Sequence, residues 1–319
     1  LTVAGNVTLN TNTDLGAFSI EIGANDTLTL STLGQANARA VDITSSATGT
    51  TLGVNISGAS SAITLDASKY ATGIETIELG ANSNQNLTLN GLQLGDGQTL
   101  DTTSLTGALD AGITRTGSSS DAATIQLADG QSDIDVLGVA ANNANLTVEL
   151  ATAGNYTGNW TGFASTDSVA LSAAADQQID VTGISAFNEV GSVDLGVADL
   201  DATAAQISGL SITNADSNGG TVSATGLNDS VLDFSNVETD AAGTLTVAGN
   251  VTLNTNTDLG AFDIELGTHD LQASAAQING LTINNGSEDG TVSATGLDGS
   301  DFDFSNVETD AAGTLTVAG

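Results

Sequence analysis

The chemistry open to this chain is almost entirely that of carboxylates. Among 319 residues there are 38 Asp and Glu, one His, three Lys or Arg, and no Cys, for a formal net charge of −35. Thiol catalysis, cysteine-ligated zinc and disulfides are therefore out of reach. A hydrolytic triad or a general base would rest on His269, and the internal repeats argue against that role. Its equivalents are Asn25 in one copy and Ala198 in another, as expected of a turn residue rather than a proton carrier. The cations Arg39, Lys69 and Arg115 stand singly, without the local acidic company that a polysaccharide lyase needs. Nucleic-acid binding is excluded because phosphate neutralisation requires clustered Lys and Arg. Anionic membrane surfaces are disfavoured for the same reason, and no apolar run is long enough to span a bilayer.

What carboxylates, amide oxygens and turn carbonyls do well together is hold hard cations. Asn284–Gly290 and Asp298–Asp301 offer such oxygens, as do their counterparts around Asp216 and Asn228–Asp229. Asp216, Asp229, Glu288, Asp289, Asp298 and Asp301 are thus the candidate calcium ligands. Against them, the copies keep no carboxylate alignment: Glu288 and Asp289 face Asn218 and Gly219, and Asp301 faces Val231. Solvated turns in which Asn, Asp and Gly serve backbone geometry account for the same residues. Tyr156 and Trp160, in Asn155–Thr161, form the one aromatic patch and are the candidate glycan contacts; a hydrophobic plug is the competing account. The same stretch holds two Asn-x-Thr sequons, and others start at Asn6, Asn25, Asn55, Asn86 and Asn250.

The elements that must carry these residues are short strands. Leu245–Val247, Val251–Leu253, Phe262–Leu266, Leu281–Ile283, Thr291–Ala294 and Phe302–Phe304 alternate apolar with polar at period two, and Gly, Asn, Asp and Ser fill the gaps. Asp263 and Glu265 then share an outward face, with Phe262, Ile264 and Leu266 inward. Helical period shows only weakly, around Ala202–Gln206 and Ala273–Gln277.

Repetition dominates the organisation. Residues 1–18 recur unchanged at 245–262, residues 233–249 recur at 303–319, and 193–210 match 264–281. Residues 1–192 form a divergent β-repeat region; 193–319 form a tandem region with a repeat of about 70 residues. Such a unit divides naturally into three coils of about 23 residues, as in a β-helix. The predicted fold is therefore all-β, a parallel β-solenoid, with tandem β-sandwich domains as the alternative. Sandwich units need about 100 residues and a bulkier core.

The Thr/Asn/Gly/Asp/Ala bias, with stretches such as Gly73–Gly80 followed by Asn86–Asn90, resembles the repeat-rich exported proteins of bacteria: solenoid surface-layer proteins, giant adhesins and the repetitive portions of repeats-in-toxin proteins. That resemblance implies an extracellular or cell-surface protein, structural or adhesive, and in many members calcium-binding. The calcium nonapeptide is absent; its nearest approach, Asp129–Leu137, lacks the glycines that let the turn close around an ion.

The chain starts with Leu1–Gly5 and stops with the same five residues at Leu315–Gly319, so Leu1, Val3, Leu315 and Val317 are the expected self-assembly positions. The expected role is a structural subunit of a filament, surface layer or adhesin stalk: one continuous solenoid, a segment of a longer array, with itself as partner either in a head-to-tail homopolymer or in a covalent tandem array. The alternatives are a carbohydrate-binding adhesin module contacting surface glycans and, further off, a β-helical polysaccharide lyase or hydrolase. The expectation is of no enzyme, no required cofactor, no nucleic acid and no membrane insertion.

Overall fold

The structure is a computed structural model that describes residues 2–9, 20–31, 43–55, 63–66, 73–80, 86–116, 122–137, 145–214, 219–239, 243–286, 288–309 and 314–316. The described residues are almost all strand, turn and bend, and every strand pairing is parallel: the fold is a parallel β-solenoid. Two compact units divide the chain, one of residues 1–173 and 183–190, the other of 174–182 and 191–319.

In the first unit the strands Thr27–Ser31, Thr51–Asn55, Thr76–Gly80, Thr99–Asp101, Ala123–Leu127, Leu146–Leu150 and Ser168–Leu171 lie side by side in chain order. Their register stacks Leu28, Leu52, Ile77, Leu100, Ile125, Val148 and Val169 into one inward row, each at most 3% exposed. One residue earlier on each strand, Thr27, Thr51, Thr76, Thr99, Thr124, Thr147 and Ser168 form an outward, half-buried row. β-Branched residues suit this site, because the methyl packs on the pleat while the hydroxyl meets water. A second sheet is built from Ile63–Asp66, Leu87–Leu94, Leu109–Arg115, Gly130–Leu137 and Gly154–Thr161. Parallel sheets usually read as unbroken apolar runs because both faces are covered. Here only the inward face is covered, so the period-two alternation survives.

The second unit shows what the repeat means. Val193 is in register with Ile212, which bridges to Val237; their sequence equivalents Ile264, Ile283 and Val307 are joined in the same way. Leu200 pairs with Val222 and Ala224 with Leu245, as Leu271 pairs with Val292 and Ala294 with Leu315. Yet Leu245 also pairs with Ile264, the equivalent of Val193, so the later copy continues a different sheet from the earlier one. The expected division into three whole coils is corrected: one repeat runs through three turns and one further side. The extra side comes from residues 246–262, where Val251–Thr252 opens a new sheet with Leu271–Ser274 before the chain rejoins the old one at Asp263. All sides bury the same small aliphatic residues, so the core accepts a unit in either phase.

The weak helical signals resolve into a single turn. Ala204–Ile207 is one turn of α-helix, closed by a capping box in which Thr203 accepts from the Gln206 N–H and the Gln206 amide accepts from the Thr203 N–H. The remaining Gln206 donor reaches the Val181 carbonyl at 2.8 Å, tying the corner to the preceding turn. Gln277 does the same from its own corner, donating to the Asn254 carbonyl at 2.7 Å.

Candidate functional site

Of the Lys and Arg side chains only Arg115 lies among the described residues, and its role is structural. Arg39 and Lys69 lie outside the described residues. Arg115, at the end of Leu109–Arg115, is 6% exposed and forms a two-pronged ion pair with Asp167, itself 1% exposed, at 2.8 and 2.5 Å. Asp167 also accepts the N–H groups of Leu146 at 3.0 Å and Ala164 at 2.8 Å, and Arg115 donates to the Gly162 carbonyl at 3.3 Å. Three separate stretches of the first unit, at Arg115, Leu146 and Ala164–Asp167, meet on one carboxylate. The sequence offered no signal for Asp167, since its partner is 52 residues away.

The candidate calcium ligands Asp229, Glu288, Asp289, Asp298 and Asp301 are exposed, and Asp216 lies outside the described residues. Their turns show what such carboxylates do. Asp298 accepts the Ser300 N–H at 3.1 Å, as Asp233 accepts that of Ser235 and Asp303 that of Ser305. Hydrogen bonding to Ser, led by the Ser side chain for Asp233 and Asp298 and by the backbone N–H for Asp303, holds the three carboxyls below the usual Asp range. At the position equivalent to Asp298, neutral Asn228 makes the same bond to Ser230 at 2.8 Å. An amide serves the turn as well as a carboxylate, so turn geometry accounts for both. Among the described residues no three His, Asp or Glu side chains converge into a set able to hold a metal ion. His269 is a half-buried turn residue whose N–H donates to the Leu266 carbonyl at 3.1 Å.

Acidic residues also stack between turns. Asp180 and Asp201 are directly opposite in register, and Asp199 lies opposite Gln178. Burial, then the charges of Asp180 and Asp199, push the Asp201 carboxyl above its ordinary range against a hydrogen bond from Gln178. The folded chain thus holds this proton more tightly than the unfolded chain, and stability falls as pH rises through that window. Asp201→Asn is expected to raise the unfolding free energy at pH 7 by about 0.2–1 kcal/mol, the scale of one cross-strand pair at a partly solvated face. The gain should shrink as pH falls into the carboxylate range. Urea melts at two pH values check it, and an equal gain at both would reject the charge argument.

The aromatic patch is a core plug, and the glycan-contact expectation is corrected for both its residues. Tyr156 and Trp160 alternate inward along Gly154–Thr161 and are each 1% exposed, so neither ring offers a face to a sugar. The Tyr156 hydroxyl donates to the Thr152 carbonyl at 2.8 Å. Desolvation raises its pKa. The Trp160 indole donates to the Ser132 carbonyl at 3.2 Å, and its ring packs on Phe163 and Phe187 at centroid distances of 5.3 and 6.1 Å.

Three of the sequons have a structural explanation. Asn6, Asn86 and Asn250 sit at corners, where their Oδ1 atoms accept the N–H groups of Thr27, Ala108 and Asp270 on the next turn. An apolar residue then points inward and Thr outward, which spells Asn-x-Thr. Asn250, Asp270 and Thr291 extend this into a ladder, with Thr291 donating to Asp270 at 2.6 Å, along a shallow groove that Thr252, Gln272 and Ser293 also line.

Of the self-assembly positions, Val3 is buried and in register with Ile22, and Leu315 pairs with Ala294; Leu1 and Val317 lie outside the described residues. The identical segments share one pairing among the described residues: Thr2 pairs with Glu21, as Thr246 pairs with Glu265. Among the described residues no helix is long and apolar enough to cross a membrane. Compared with protein-family models, curated proteins and solved structures, the chain finds no match.

Proposed function

We propose that this chain is an extracellular structural protein, a repetitive β-solenoid that forms part of a filament, a surface layer or an adhesin stalk. The observation that carries the reading is that copies of one sequence build the same turns with the same partners in successive units, which is how a chain extends a scaffold without new design. In this reading the function is mechanical. Parallel backbone ladders between turns bear load along the stack, stacked aliphatic rows exclude water, and the outward carboxylates keep neighbouring molecules apart. No residue is assigned to catalysis, and the partner is a further copy of the same fold. Electron microscopy of the native material with an antibody to this chain tests the proposal. Labelled surface rods or sheets are expected; a dispersed intracellular label would overturn it.

No cofactor is required in this reading, and calcium enters only as one counter-ion among others for exposed turns. Chelation with EDTA at constant ionic strength is therefore expected to leave the melting temperature unchanged. A fall on chelation that calcium restores, and magnesium does not, would make Asp229, Asp298 and Asp301 ligands after all.

A further inference from the structure

The solenoid changes phase inside the second unit, and the change leaves a strand edge open within the stack. The ladder between Val222–Leu227 and Thr244–Val247 ends at the Leu227–Val247 pair. Beyond it the earlier turn forms no strand over residues 228–232, whereas the later one starts the new sheet at Val251–Thr252. Toward the following turn this strand is paired: the Val251 and Leu253 N–H groups donate to the Asp270 and Gln272 carbonyls at 2.8 Å each. Successive residues of a parallel strand turn their N–H and C=O to opposite sides. Those of Thr252 therefore face back toward residues 228–230, and no described group bonds to them.

A groove of about 410 Å³ lies between the two turns, within the range of about 300–1,000 Å³ for small-ligand clefts. Such clefts are mostly apolar, but this one is polar. Thr252 adds its hydroxyl, which donates to Gln272 at 3.0 Å and keeps its lone pairs for a ligand. The exposed Asp229 carboxylate lines the groove and bonds to no other described residue. Gly249 keeps the groove open, since a Cβ there would meet no atom within 4 Å. The shallow groove over Asp270, Gln272 and Thr291 shares Asn250–Thr252 with this one, so the polar surface is continuous across the strand.

The lining selects the ligand. An anion is repelled by Asp229, by Asp270 and by a net charge of −35. A metal ion lacks converging carboxylates among the described residues. An apolar molecule finds little surface, because Leu227 and Val251 are buried. An added peptide strand needs about three or more residues of edge, and Val251–Thr252 supplies two. A neutral molecule dense in hydroxyls exchanges its water bonds for the Thr252 N–H, the Thr252 carbonyl and the Asp229 carboxylate, whose two oxygens can accept from neighbouring hydroxyls together. We propose that this groove binds a neutral saccharide. The site goes beyond the structural reading above and does not depend on it.

The test is a glycan array probed with the labelled full chain in EDTA, then calorimetry of the bound glycans with the wild type and three variants. Neutral oligosaccharides are expected to bind, and sulfated or sialylated ones to be excluded. Gly249→Val fills the groove and is expected to abolish binding. Asp229→Ala is expected to weaken it about tenfold or more, the scale of one hydrogen bond to a charged group. Asp289→Ala, at an exposed carboxylate outside the groove, is expected to bind as the wild type does. Far-ultraviolet circular dichroism and melting temperature identify the folded variants; should Gly249→Val misfold, Asp229→Ala against Asp289→Ala decides. An array with no neutral ligand, binding of anionic glycans alone, or an affinity that Asp229→Ala lowers no more than Asp289→Ala would each overturn the proposal. Surface rods in electron micrographs with no glycan bound would reject the site alone and leave the structural reading standing.

Discussion

Arg115→Met is expected to destabilise the first unit by about 3–5 kcal/mol, the cost of leaving one member of a buried ion pair without the other. Methionine retains much of the aliphatic volume, so the loss reports the charge rather than a cavity. After the substitution Asp167 keeps the Leu146 and Ala164 N–H donors but no countercharge, in a site where it is 1% exposed. The double variant Arg115→Met/Asp167→Asn should recover part of the loss, because a neutral amide oxygen can still accept from those backbone groups. Urea unfolding of the wild type, both single variants and the double variant closes the cycle. Losses that simply add would show that the pair is not coupled, and the geometry would then have misled us. A loss below about 1 kcal/mol for Arg115→Met would place the pair among solvated surface bridges.

Trp160→Ala should cost about 3–5 kcal/mol, the range for deleting a buried large aromatic side chain whose surroundings cannot collapse. The backbone ladder to Gly130–Leu137 fixes Gly154–Thr161 in place so that the plug cannot simply close, and Phe163 and Phe187 each lose a packed ring face. The Ser132 carbonyl loses the indole donor as well. Trp160→Phe keeps most of the volume and gives up the hydrogen bond, so its loss should be clearly smaller. Because Trp160 is the single tryptophan, circular dichroism rather than intrinsic fluorescence must follow the melt. Equal losses for Ala and Phe would mean that the indole N–H, not packing, carries the energy. Any loss of glycan adhesion in Trp160→Ala would follow from this destabilisation and is no evidence of a sugar contact.

Reading residues along the chain was enough for much of the architecture. Short strands bounded by Gly, Asn and Asp, the small aliphatic core and the choice of solenoid over sandwich all follow from period two and a repeat of about 70 residues. The corner asparagines are visible in the sequence as sequons, but their bonding is not, because their partners are on the next turn. The acidic turns admit two readings from sequence, oxygen donors for a cation or backbone geometry, and Asn228 standing in for Asp298 shows the turn bond that both provide. That equivalence lay open in the aligned copies. The burial of Trp160 did not, since Asn and Thr neighbours look alike on either face of a strand.

By itself the sequence determined everything that depends on a few neighbouring residues: which side chains of each strand share a face, where the chain turns, and that later turns copy earlier ones. The reason is that backbone sterics and the alternation of Cβ directions act over two to four residues. Tertiary structure alone decided which strand lies beside which. The rungs of the Thr27 to Ser168 row are 21–25 residues apart, so each step is set by loop lengths that vary without changing the local pattern. For that reason the repeat advances by one side beyond three turns, and Arg115 finds Asp167. Both are outcomes of how many residues it takes to go once around the core, a quantity no local window contains.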